Sequence, residues 1–62
     1  MKERYFVVSV CLENSAFDAE NINFELHRLF SLVAEKCEEG NFNFSLMDIN
    51  GNSCLTAKIE ER

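Results

Sequence analysis

The sequence predicts an α+β domain of βαββ order: one strand, one long helix and a closing hairpin, with a mainly antiparallel three-stranded sheet. Three observations carry that prediction. Residues 4–12, RYFVVSVCL, are rich in aromatic and β-branched side chains. Ile22, Leu26, Leu29, Phe30, Val33 and Cys37 recur at helical spacing. Asn50-Gly51 stands between two alternating apolar segments, the strongest short-range hairpin signal.

In the first strand, side chains alternate between faces. Phe6, Val8, Val10 and Leu12 form a uniformly apolar set and should face the core. Tyr5, Val7, Ser9 and Cys11 take the other side. Residues 13–17 read as a connection. Asp18 is the N-cap candidate, because its carboxylate can accept from first-turn N–H groups and complements the helix dipole. It places Phe17 and Ile22 at the two positions of a hydrophobic staple. Ser15 with Asp18 is a competing capping box. The expected helix covers roughly residues 19–39, and Gly40 suits the left-handed position beyond its end. Phe24 and Leu32 fall off the main stripe, so they meet either a second covering layer or a partner.

The hairpin is expected over residues 42–49 and 52–60. A two-residue type I′ turn at Asn50-Gly51 pairs Ile49 with Asn52. That register sets Leu46 against Leu55, Phe44 against Ala57 and Phe42 against Ile59, all on one apolar face. The other face pairs Met47 with Cys54, Ser45 with Thr56 and Asn43 with Lys58. A slip of one residue would mix the faces.

The helix returns the chain, so two strand orders are open. With strand three central (2-3-1), every pair is antiparallel; with strand two central, the first two strands are parallel. The general excess of antiparallel pairs favours 2-3-1. That order leaves the most apolar strand at an edge, a template for pairing with another chain. A homodimer through strand one is one expectation; a monomer whose edge is covered by residues 13–18 is the other. On the open sheet face, Tyr5, Val7, Ser9, Cys11, Met47 and Cys54 are candidate interface residues. They read either as an apolar interaction patch or as an ordinary solvated face.

A chain of 62 residues allows one domain, taken as 1–62. No run of ~18 apolar residues is present, so no membrane span is expected. Three cysteines make an incomplete disulfide framework and fit a reducing compartment, so the cytoplasm is the expected location. Eleven acids against six bases give a formal charge of −5. That balance opposes direct binding to a phosphate backbone, which depends on Lys and Arg. It favours a protein partner with a basic surface.

Reactive constellations are sparse. Cys11, His27, Cys37 and Cys54 lack close metal-ligand spacing, so no metal is expected. No cofactor is expected either, because the only glycines, Gly40 and Gly51, form no phosphate loop. His27 lacks triad partners and reads as a solvated helix residue; the expectation is a protein that is not an enzyme. Cys11 and Cys54 share a face in the 2-3-1 order, which makes a redox pair conceivable beside the plainer reading of two small hydrophobes.

The acids are more informative as a group. Glu25, Glu35, Glu38 and Glu39 are the candidate partner-binding set, read either as a solvated helix face or as an acidic surface offered to a basic groove. The last three oppose the helix dipole. The expected function is a small acidic protein–protein interaction module. In size and charge it resembles accessory proteins of phages and mobile elements that inhibit host nucleic-acid-handling enzymes, in the extreme by imitating DNA as anti-CRISPR-type inhibitors do. A small-ligand or regulatory homodimer and a Cys11/Cys54 redox switch are the alternatives.

Overall fold

The computed structural model describes residues 2–62. Its elements are β1 (Arg4–Val10), a short 3-10 turn (Ser15–Phe17), α1 (Ile22–Glu38), β2 (Phe44–Met47) and β3 (Ser53–Glu61). The sheet order is β1-β3-β2 and both pairings are antiparallel. This is the expected α+β plan with β3 in the centre. β1 follows β3 from Arg4↔Glu61 to Val10↔Leu55 without a break.

α1 lies across one sheet face. Leu29 and Val33 from the helix meet Leu55 and Ala57 from β3, with Ala16 and Phe17 of the 3-10 turn in the same cluster. Val8, Val10, Phe44 and Leu46 pack against it. Among the described residues, only Leu29 and Leu55 of the larger side chains are fully sealed from solvent. A domain this small has little interior to spare.

The helix begins later than the sequence suggested. Asp18 does not cap it through its carboxylate; its backbone carbonyl accepts the N–H groups of Asn21 and Ile22 instead. The side-chain cap lies upstream, where Asn14 Oδ1 accepts from Ala16 N and starts the 3-10 turn. That turn consumes residues 15–17, which pushes the helix start to Ile22. At the far end Gly40, at φ +81°, closes a complete Schellman motif. Its N–H reaches the Cys37 carbonyl while the Asn41 N–H reaches that of Lys36.

The hairpin keeps the expected register by a different turn. Phe44↔Ala57 and Leu46↔Leu55 pair as predicted. The turn is not the two-residue type I′, because Asn50 does not adopt a positive φ; Gly51 alone does, at +84°. The Gly51 N–H bonds to the Asp48 carbonyl and the Asp48 N–H to the Asn52 carbonyl, which makes residues 49–51 a three-residue loop with Ile49 and Asn50 at the centre of its turn. Asp48 selects this geometry: its buried Oδ1 accepts the N–H groups of Asn50 and Asn52, each at 2.9 Å. The extra loop residue is absorbed by a bulge, so Met47 pairs with Ser53 rather than Cys54. Two consecutive residues, Cys54 and Leu55, are consequently buried.

β2 is shorter than expected, and Phe42 and Ile59 sit at the margin, about two-fifths exposed. Phe42 packs edge-on against Phe6, with ring centroids 6.0 Å apart. Leu12, expected on the core face, lies beyond β1 and is exposed.

Candidate interaction surfaces

A buried carboxylate organises the hairpin end of the molecule. Glu25 is only 6% exposed. One of its oxygens accepts the Arg28 Nε–H, and the other accepts the backbone N–H of Ile49 at 2.9 Å. Arg28 continues the chain of contacts by donating to the Met47 carbonyl at 3.1 Å. The helix is thereby tied to the end of β2 and to the turn. The Arg28 bond and the Ile49 N–H hold the Glu25 carboxyl below its ordinary range against the opposing effect of burial. Glu25 was expected on an exposed acidic surface; it is instead part of this internal clasp. A Glu-x-x-Arg pair on a helix reads as a surface ion pair, and only the docked turn buries it.

The clasp frames an open groove of about 440 Å³ lined by Ser15, Asn21, Phe24, Arg28, Ile49 and Asn50. Phe24 and Ile49, at 71% and 75% exposure, stand at its sides. Ile49 was expected at the end of the second strand, paired with Asn52; Asp48 takes that place instead, which leaves Ile49 in the turn. Phe24 had shown a signal in falling off the core stripe.

The other three acids stay exposed. Glu35, Glu38 and Glu39 lie in or beside the last turn of α1. Phe24, Ser31, Glu35 and Glu38 follow at spacings of seven, four and three, which keeps them on one side of the helix. That side is apolar at its start and acidic at its end. The basic side chains are distributed unevenly against these acids. Arg28 is engaged by Glu25, while Lys58 and Arg62 both pair with Glu60. Lys58 and Arg62 hold the Glu60 carboxyl low, Arg62 exerting the larger pull.

The open sheet face does not gather its candidates into one patch. Tyr5, Val7 and Ser9 lie on β1 opposite Glu60, Lys58 and Thr56. Met47 pairs with Ser53 at the other end of β3. Seven residues of strand, about 23 Å, separate that position from Glu60. Tyr5 is instead surrounded by charge. Its hydroxyl donates to Glu3, which raises its pKa, and the Arg62 guanidinium stands 5.2 Å from its ring centroid.

Cys54 leaves this face altogether. The bulge turns it into the core cluster, 3.9 Å from the Leu46 carbonyl oxygen, whereas Cys11 is exposed. All three cysteines are free thiols. Burial, reinforced by Asp48 and Glu25, pushes the Cys54 thiol up, the opposite of what a reactive thiolate needs. The shared-face geometry behind a Cys11/Cys54 pair is therefore absent. His27 is exposed on α1, and its carbonyl accepts from Ser31 Oγ.

No helix is long and apolar enough to cross a membrane among the described residues. No protein family, curated protein or solved structure matches the chain.

Proposed function

We propose that the protein is a non-enzymatic protein–protein interaction module that offers the outer face of α1 to a basic surface on its partner. The observation that carries this reading is the uneven neutralisation of charge. Three of the six bases are engaged by Glu25 and Glu60, while Glu35, Glu38 and Glu39 cluster around Lys36 alone. A negative patch of that kind steers a positively charged partner into contact and discriminates against acidic ones. Phe24, one end of the same face, supplies an apolar anchor of the type that concentrates binding energy. The fullest form of the proposal is an inhibitor that occupies the phosphate-binding groove of a nucleic-acid-handling protein, as a phage or mobile-element accessory protein does. Its site of action is the cytoplasm.

The test is capture of the partner from host lysate with wild-type protein, repeated with a Glu35→Lys, Glu38→Lys, Glu39→Lys variant. Capture should be lost in the variant and should weaken as salt shortens the Debye length. A partner retained by the variant at high salt would show that the acidic face is not the contact.

A second reading concerns self-association. β1 occupies an edge of the sheet, and Phe6 and Tyr5 on it are substantially exposed. A second copy of the chain is the partner proposed for that edge.

A further inference from the structure

The hydrogen-bonding phase of β1 defines how two copies fit. In an antiparallel pair, directly opposed residues alternate between exchanging two backbone hydrogen bonds and exchanging none. Glu3 and Arg62 exchange both, with N···O distances of 2.9 Å in each direction. The Cys11 N–H bonds the Cys54 carbonyl in the same phase. The odd-numbered residues of β1 therefore spend their backbone groups on β3. Arg4, Phe6, Val8 and Val10 direct theirs outward, where no backbone partner exists among the described residues.

We infer that two copies pair through β1 as antiparallel strands about a two-fold axis at Val7. This inference rests on the self-association reading above and adds its register. A symmetric pair must join outward-facing residues to outward-facing residues. Centring the axis on Val7 sets Phe6 opposite the partner's Val8 and Arg4 opposite the partner's Val10. All seven residues of the strand are then used, whereas an axis at Phe6 or Val8 leaves an overhang. No like charges oppose one another within the strand. Lys2 and Arg4 at the start of one β1 approach the end of the other, where Glu13 follows.

The side chains favour the same arrangement. Opposed residues of antiparallel strands project to the same face. Phe6 meeting Val8 thus continues the core face from one copy into the next, with both α1 helices on the same side. Phe30 lies two residues from Arg28, about 200° around the helix, on the flank away from β2. It is 47% exposed, and because Arg28 reaches β2 and β1 is the opposite edge of the sheet, this flank is the one on which the second copy would be added. The core gained this way offsets the small interior of the single chain.

Val7 opposite itself gives a direct test. Val7→Lys and Val7→Glu should each be monomeric in light scattering, and an equal mixture should recover the doubled mass. In wild type, the Phe6 and Val8 amides should exchange slowly at high protein concentration and rapidly on dilution. Val8→Pro should abolish the dimer, because the N–H it removes points away from β3. Wild type that stays monomeric at high micromolar concentration overturns both the self-association reading and this register. A dimer that persists in Val7→Lys and Val7→Glu but is lost in Val8→Pro overturns the register alone. A dimer unaffected by any of the three excludes β1 as the contact. The acidic-face Lys variant should remain dimeric, which separates this contact from the one proposed on α1.

Discussion

The Glu25 carboxylate accepts the backbone N–H of Ile49 across 24 residues of sequence, joining the first turn of α1 to the β2–β3 turn. The same side chain holds Arg28, which holds the Met47 carbonyl. The Arg28 guanidinium, the Met47 carbonyl and the Ile49 N–H thus all depend on one buried acid.

Glu25→Ala should be among the most damaging polar substitutions in the molecule. It orphans the Ile49 N–H and leaves Arg28 without its counter-charge. The expected loss is about 2 kcal/mol, discounted because Arg28 is partly exposed. Glu25→Gln, which retains one acceptor, should lose roughly 1 kcal/mol. Urea unfolding followed by far-UV circular dichroism reads both, and equal losses would count against the role of charge.

Acid should release the clasp. Glu25 is held below its ordinary value near 4.5, so it binds fewer protons folded than unfolded. Its stabilisation is fully present above the unfolded pKa and is lost as pH falls below about 4.5 and through the lowered folded value. Glu60 shifts in the same direction but is more exposed, so its share is smaller. Wild type should lose stability steeply below pH ~4.5, and Glu25→Gln should show a shallower slope. Parallel slopes would assign the acid transition to other carboxylates.

Asn50 and Gly51 of the turn should respond unequally. Gly51→Ala forces a Cβ into the left-handed region and should cost about 1 kcal/mol, although no atom lies within 4 Å of the space it would occupy. Asn50→Ala should cost less than about 0.5 kcal/mol, because Asn50 has a negative φ and its side chain makes only a long 3.4 Å contact to Ser15. Comparable losses at both positions would instead indicate a type I′ turn. Thermal melts of the two variants distinguish these outcomes.

The thiols should separate cleanly by rate. Cys11 is exposed and should be alkylated by iodoacetamide in the native protein, while Cys54 should wait for unfolding. Intact and peptide mass spectrometry gives the order. Rapid labelling of Cys54 in the native protein would contradict its place in the core.

The parts of the fold written in local pattern were legible in advance. Phe44, Leu46, Leu55 and Ala57 fixed the hairpin register through alternation, and Gly40 marked the helix end. What was not legible depended on side chains competing for backbone groups. Asp48 and Asn14 each captured N–H groups that simple turn and capping rules had assigned elsewhere. One added loop residue then required a bulge, and the bulge moved Cys54 from one face to the core. Glu25 was misplaced for a related reason. Its partner is a backbone N–H in another element, and no spacing in the helix announces it. Glu35, Glu38 and Glu39 are exposed, as both readings of them required, because none of the described residues returns to cover them.

The central position of β3 has a consequence for synthesis. β1 is made first, yet its partner is the last strand: Val10 must wait for Leu55, 45 positions later, and Arg4 for Glu61. Pairings of such sequence separation form slowly, since the loop must close before the contacts repay it. Until then both sides of the most apolar strand are open to any neighbouring nascent chain. Yield in recombinant expression should therefore depend on translation rate and temperature more than on the equilibrium stability of the finished fold.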